Sequence, residues 1–323
     1  MCKSLTRTQE IAQGVLKGNH RSIAKAITII ENGTPEAQEL IATVFPHTGK
    51  AHIIGLTGAG GAGKSTLIEK IVREYRQKGK TVGVIAVDPT SPFTGGAFLG
   101  DRIRMQELST DDGVYIRSMA TRNYAGGISK ATKDAAKVLD AAGKDIVIVE
   151  TAGAGQSEVE IVNVAQTIVV MHAPGLGDEI QAIKAGIMEI ADIFVVNKAD
   201  RENANKTAID IQAMLQMSNK KDGWKPPVLK TVALTGEGVQ ELIEKIEEHR
   251  CFLERDTEHK QNLLKTKAQA ELIEAIKEKV SRTLVDQLKR EGKLDKLVSQ
   301  IVEKKTDPAS AAEKLVRKMI NHA

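Results

Sequence analysis

The sequence predicts an α/β fold: a mostly parallel central sheet flanked by helices, with helices before it and a helical arm after it. Three observations carry this. From Ala51 onward, short Ile/Val blocks alternate with helical stretches, the pattern of parallel strands joined by crossover helices. A glycine-rich turn at residues 58–63 separates the first such block from the helix that follows. Beyond about Glu254 the strand pattern stops, and Glu, Lys, Leu, Ala and Ile dominate. The 323 residues thus divide into a helical extension (1–50), an α/β domain (51–253) and a helical arm (254–323).

The elements follow in order. Residues 5–44 read as helices, with Ile23, Ala26, Ile27 and Ile30 at three- and four-residue spacing. Thr34-Pro35-Glu36 reads as an N-cap with proline at the first helical position. The expected strands are Ile53–Thr57, Val82–Asp88, Val114–Arg117, Ile146–Glu150, Ile168–His172, Ile193–Asn197 and Val228–Ala233. Several are continuous Ile/Val blocks, as strands buried on both faces require. Between them, helices are expected at Lys64–Gln77, Ile128–Ala142, Glu179–Glu189 and Ala204–Met217, with Gly238–Phe252 closing the domain. In the arm, breaks fall near Gly292 and at Thr306-Asp307-Pro308, and Ala270, Ile273, Ile276, Lys277 and Val280 sketch an apolar stripe. That stripe reads as a dimerisation surface or as a cap on the chain's own domain. A nucleotide domain this complete needs no such long cap, which favours the dimer.

Composition excludes several classes. With 41% hydrophobic and 27% charged residues the chain is ordinary for a globular protein, and 3% aromatics make the core aliphatic. No apolar run approaches the roughly 20 residues of a membrane-spanning helix, and MCKSLTRTQEIAQG shows no secretory signal. The two cysteines, Cys2 and Cys251, exclude a disulfide scaffold and fit a reducing, cytoplasmic setting. A net charge of +4, from 46 basic and 42 acidic residues, gives little support to a nucleic-acid partner. The seven histidines do not cluster in sequence, so no transition-metal site is expected.

The chemistry lies in a few segments. Gly58-Ala59-Gly60-Gly61-Ala62-Gly63-Lys64-Ser65-Thr66 follows a strand, opens a helix and matches G-x-x-x-x-G-K-[ST], the P-loop. Its glycines let backbone N–H groups surround phosphates, Lys64 is placed for the β and γ phosphates, and Ser65 for Mg²⁺. Gly58, Gly60 and Gly63 also spell the dinucleotide fingerprint G-x-G-x-x-G, but such a site has no use for Lys64-Ser65. Asn197-Lys198-Ala199-Asp200 ends a later strand and matches N-K-x-D. There the Asp200 carboxylate accepts guanine's N1–H and exocyclic amino group, a pairing adenine cannot offer. Lys198 would lie along the base, and Asn197 would tie this loop to the P-loop. Val232-Ala233-Leu234 stands where a second base loop would present a backbone N–H to guanine O6.

Acids for the metal are Asp88 and Glu150, both at strand ends on the P-loop edge, and Asp101 in Leu99-Gly100-Asp101-Arg102. Glu150-Thr151-Ala152-Gly153-Ala154-Gly155-Gln156-Ser157-Glu158 resembles a second switch with Glu in place of the usual Asp. No Gln directly follows Gly153, which predicts slow intrinsic hydrolysis. The segments 94–100 and 174–179 are glycine-bearing and suit a first and a third switch.

These residues, with Asp88-Pro89-Thr90-Ser91, Gly100 through Met105, Gly177-Asp178-Glu179 and Gly186 through Asp192, resemble the MeaB/ArgK family. Its members are G-protein chaperones of adenosylcobalamin-dependent methylmalonyl-CoA mutase. The resemblance spans nearly the whole chain. It implies a P-loop NTPase that hydrolyses GTP with Mg²⁺, is homodimeric through the arm, and gates cofactor loading, protection and reactivation of an acyl-CoA mutase. Lys64, Ser65, Asp88, Asp101, Glu150, Asn197, Lys198 and Asp200 match the family's nucleotide and metal positions, and Lys184 its third-switch lysine. Departures are Ala152 and Ala154, where the family often has Val, Val232, where it commonly has Ser, and a P-loop without proline. Two other readings are a metal-insertion GTPase, which should carry a His or Cys relay, and an ATP-dependent transport-linked kinase, against which the NKxD segment argues.

Overall fold

The computed structural model describes residues 6–88, 106–120, 130–151, 160–175, 185–217, 223–255 and 257–320. The chain forms two compact units, Met1–Arg255 and Asp256–Ala323.

In the first unit, three helices precede the sheet: α1 (Arg7–Leu16), α2 (His20–Glu31) and α3 (Pro35–Val44). Thr6 caps α1 with a reciprocal capping box to Gln9, and Asn19 caps α2 by accepting from the Ser22 N–H. Thr34 takes the extended backbone of an N-cap, and Pro35 starts α3, with no side-chain cap bond. The strands are β1 (His52–Gly58), β2 (Val82–Asp88), β3 (Val114–Ala120), β4 (Ile146–Glu150), β5 (Thr167–His172), β6 (Ile193–Asn197) and β7 (Val228–Thr231). Between and after them lie α4 (Lys64–Gln77), α5 (Lys130–Ala141), α6 (Ala185–Ile190), α7 (Ala204–Met217) and α8 (Val239–Arg255). The expected strands are all present. β3 runs three residues further than its Ile/Val block, because Ser118, Met119 and Ala120 continue the pairing with β2. β7 stops at Thr231, because Val232 turns away into a bridge with Glu237.

The sheet has seven strands in the order β3-β2-β4-β1-β5-β6-β7, and its neighbours pair in parallel. All strands therefore end on one edge. β1 lies between β4 and β5, so the loop that follows it emerges where the chain's crossovers diverge to either side. Ligands of open α/β sheets bind at such a point.

Each face of the sheet carries an aliphatic core. On one, Val147, Val149, Ile168, Val170, Phe194 and Val196 pack with α1–α3, α5 and α7. The N-terminal helices thus belong to the first unit's core, through Ile11, Ile23, Ile27 and Leu40 among others. On the other, Ile54, Leu56, Ile148, Val169 and Val195 pack with Leu67, Ile68 and Ile71 of α4 and Leu242, Ile243 and Ile246 of α8. Burying a side chain of this size contributes roughly 1.5–3 kcal/mol.

Two polar devices fix the start of the sheet. The buried Asp140 carboxylate, at the end of α5, accepts the backbone N–H groups of Gly49, Lys50 and Ala51 and so seats the approach to β1. At the amino ends of the strands, the Thr167 hydroxyl sits 2.8 Å from His52 Nε2 and 2.9 Å from His249 Nδ1. His249 Nε2 in turn faces the Asp192 carboxylate at 3.5 Å. Two histidines scattered in sequence thus meet through one hydroxyl and pin α8 to β1 and β5. Burial, reinforced by the charge of Arg250, pushes His52 down to about 3, so it stays neutral.

The second unit contains α9 (Thr257–Arg290), α10 (Lys293–Val302) and α11 (Pro308–Ile320). Gly292 in the left-handed conformation separates the first two, and Pro308 opens the third, at the breaks expected from the sequence. α9 packs against α10, yet Leu264, Leu272, Ile273, Ile276 and Val280 of α9 are exposed.

Candidate functional site: a phosphate loop tied to two base loops

The phosphate loop is shaped by its contacts with β5 and β6. Gly58 has φ 138°, and a Cβ there would lie 2.0 Å from the Met171 main-chain oxygen. Gly63, at φ 96°, is the N-cap of α4, and a Cβ would lie 2.6 Å from Asn197 Nδ2. Only glycine satisfies both the backbone and the close approach. No side chain caps α4, so its first-turn N–H groups face outward as a site for an anion.

Lys64 is buried, with Nζ donating to the carbonyls of Gly58 at 2.7 Å and Ala59 at 3.0 Å. The ammonium is therefore held inside the loop. The buried Ser65 hydroxyl donates to Glu150 Oε1 at 3.0 Å. Glu150 ends β4, whose register sets it beside Leu56 of β1 and Ala86 of β2. A hydroxyl and a carboxylate at the mouth of a phosphate loop are hard oxygen donors, and they fit Mg²⁺ rather than a softer metal. Behind them, the Thr151 hydroxyl donates to Thr57 Oγ1 at 2.8 Å, and the Thr151 N–H to Leu56 O at 3.1 Å, locking the exit of β4 to β1.

Asn197 is the hub of the site. Its Nδ2 donates to Ala62 O at 2.8 Å, while its Oδ1 accepts the Thr231 hydroxyl at 3.0 Å and the Ala233 N–H at 2.9 Å. One buried carboxamide thus joins the phosphate loop, the Asn197–Asp200 turn and the 232–234 turn. Lys198 takes φ 58°, and its Nζ donates to Gly61 O at 2.7 Å, bridging the same two loops. Asp200 is exposed at the tip of the turn. Of the three residues in the second base loop, Val232 gives its N–H to Glu237 O and Ala233 to Asn197. That leaves Leu234, 79% exposed, to present the backbone N–H expected of this loop. Thr231 and Thr57 went unnoticed in the sequence, where no motif marks them. Each acts through a hydroxyl whose partner comes from another strand.

Asp88 closes β2 on the same edge. Asp101, Lys184, the 94–100 loop, residues 152–158 and residues 176–179 lie outside the described residues.

A helix-capped phosphate loop tied to an Asn-Lys-x-Asp turn on a parallel sheet defines the chain as a P-loop GTPase. Comparison with known proteins refines the class. The family model "Methylmalonyl Co-A mutase-associated GTPase MeaB" matches residues 23–289. A Pyrococcus horikoshii protein described as a GTPase is 50% identical over 317 residues, 96% of this chain and 98% of its own. GTPase ArgK of Escherichia coli is 38% identical over 234 residues, covering 70% of this chain and 71% of that one. The mouse (Mus musculus) methylmalonic aciduria type A homolog, mitochondrial, is 33% identical over 273 residues, 76% of this chain and 66% of the relative. Among solved structures, a LAO/AO transport system kinase superposes with TM-score 0.72 at 25% identity, over 98% of this chain and 99% of that one. The chain belongs to the MeaB family of GTPases.

The hub makes Thr231 testable. Thr231→Val removes the hydroxyl at nearly constant shape and leaves Asn197 one donor short. GTP affinity, read by titration with a fluorescent analogue, should fall about fivefold to tenfold, the worth of one hydrogen bond near 1 kcal/mol. Unchanged affinity would show that Ala233 alone orients the carboxamide.

Proposed function

We propose that the chain is a GTP-driven chaperone that gates cofactor loading, protection and reactivation of an adenosylcobalamin-dependent acyl-CoA mutase. The observation that carries the GTP part is the Asn197 hub, which joins the turn that bears the exposed Asp200 to the phosphate loop. The mutase part is supported by the family's description and by the mouse relative's name.

In this reading the triphosphate lies across the α4 N-terminus. Its oxygens replace the carbonyls of Gly58 and Ala59 as partners of Lys64. Ser65, Asp88, Asp101 and Glu150 would hold Mg²⁺, which would supply positive charge to the phosphates. Glu150 accepts a hydrogen bond from a water at that site and orients it. Asp200 accepts from guanine N1–H and the amino group, Lys198 covers the ring, and the Leu234 N–H donates to O6. Lys184 brings charge to the site when the partner is bound. With no glutamine directly after Gly153, basal turnover is slow, and a hundredfold stimulation needs only about 2.7 kcal/mol.

The arm from Glu254 onward forms a homodimer in this proposal, through the exposed Leu272, Ile273, Ile276 and Val280. No described helix is long and apolar enough to cross a membrane, and the setting we propose is cytoplasmic. ATP-dependent phosphoryl transfer is the second reading, favoured by the description of the superposed kinase.

Asp200→Asn should lower GTP affinity and raise xanthosine triphosphate affinity, because the xanthine O2 accepts where guanine's amino group donates. Unchanged GTP binding removes Asp200 from the base site, and tighter ATP than GTP binding by the wild type favours the kinase. GTP turnover measured with and without a cognate adenosylcobalamin-dependent mutase should rise with the mutase. Lys184→Ala should blunt that rise. A mutase that neither binds nor changes the rate ends the chaperone reading. The full-length chain should sediment as a dimer at micromolar concentration, and a monomer there excludes the arm as a dimer interface.

A further inference from the structure

His172 is a buried polar residue at the nucleotide edge to which the site described above gives no task. It is the last residue of β5. Its neighbour Met171 makes the closest backbone approach to the phosphate loop, the main-chain oxygen that leaves no room for a Cβ on Gly58. Met171 also reaches the other end of the loop, its Cε lying 3.7 Å from where a Cβ on Gly63 would be. The end of β5 therefore frames both the first and the last glycine of the loop.

His172 itself is 8% exposed, and its ring stacks on Phe194 of β6, with centroids 6.3 Å apart and planes 19° from parallel. Its Nε2 is buried with no hydrogen-bond partner among the described residues. At the other edge of the sheet His52 and His249 each have a ring nitrogen on Thr167, and the second nitrogen of His52 is buried without a partner among the described residues. Among those residues no hydrogen bond holds either nitrogen of the His172 ring, which lies at the nucleotide edge. Burial pushes His172 down to about 4, so the ring is neutral at neutral pH, and Nε2 can donate or accept according to tautomer. A phenylalanine would fill this slot against Phe194 without leaving a buried nitrogen unpaired, an arrangement that is destabilising. Buried groups left unsatisfied in a native state are uncommon, and each needs a physical reason.

We propose that His172 is a positioning residue for GTP hydrolysis: its Nε2 gains a hydrogen bond only during turnover, and that bond holds the end of β5 against Gly58, fixing the frame of the phosphate loop as the reaction proceeds. The proposal rests on the GTPase reading and adds to it a residue outside every motif. It acts through the backbone of β5, so its effect falls on the rate more than on substrate capture.

The test uses the full-length chain and three variants. His172→Phe keeps the stack and removes both nitrogens. His172→Asn places its amide near the position of Nδ1, and His172→Gln near that of Nε2. The Phe variant should melt at a higher temperature than the wild type without nucleotide, because the unpaired nitrogen is gone. Its kcat for GTP should fall about tenfold while KM stays within about twofold, the worth of one bond made only during turnover. The Asn variant should lose kcat similarly, and should do so even if the Phe variant fails to fold. The Gln variant should recover kcat to within about threefold of wild type. A purely structural histidine would move melting temperature without this separation of kcat from KM. A Phe or Asn variant with wild-type kcat overturns the proposal, as does a Gln variant as slow as Asn. A wild-type chain that does not turn over GTP overturns the GTPase reading, and this proposal with it.

Discussion

The site depends on one buried carboxamide. Asn197 spends its donor on Ala62 of the phosphate loop and its acceptor on Thr231 and Ala233. Three loops from different parts of the chain would otherwise move separately, and each would bring its own conformational entropy to the bound state. The carboxamide is shielded from water, so its bonds have no aqueous competitor, and losing one would strand a polar group in the core. The phosphate loop, the Asn197–Asp200 turn and the 232–234 turn are therefore held together through one side chain.

That rigidity is inherited from the sheet. β1, β5 and β6 are neighbours, and their carboxyl ends deliver Gly58, His172 and Asn197 to one edge. Interdigitated aliphatic side chains on both faces leave the strands little freedom to slide. The opposite edge is fastened by different means, with the Asp140 carboxylate on three backbone N–H groups and the Thr167 hydroxyl between two histidines. The amino ends of the strands are thus fixed by paired polar groups. At the carboxyl ends, Lys64 donates to the carbonyls of Gly58 and Ala59, and Ser65 to the Glu150 carboxylate.

The second unit follows a different rule. Its helices leave a row of Leu, Ile and Val exposed on α9, and a row of this kind is usually an interface. The first unit closes both faces of its own sheet and leaves no comparable need. The chain therefore combines a nucleotide domain with its own two-faced core and a helical arm that carries an exposed apolar row.

Much of this was legible in the sequence, because its signals are local. A strand buried on both faces must be a run of Ile and Val, so Ile146–Glu150 and Ile193–Asn197 could be bounded to the residue. A phosphate loop needs glycine, lysine and a hydroxyl at fixed offsets, and N-K-x-D needs its residues within one turn. The strand boundaries that shifted most, at Ala120 and Thr231, are set by pairing with a neighbouring strand or by a turn away from it, which no local window contains. The same reason hid Thr57, Thr231 and the meeting of His52 with His249, since each hydrogen bond joins residues tens of positions apart. Sequence alone determined the elements, the nucleotide chemistry and the family resemblance. Tertiary structure decided the strand order, the assignment of the Ala233 N–H to Asn197 and the unpaired nitrogen of His172. A hydrogen bond is a relation between two atoms in space, and the chain specifies their distance only once its core has closed.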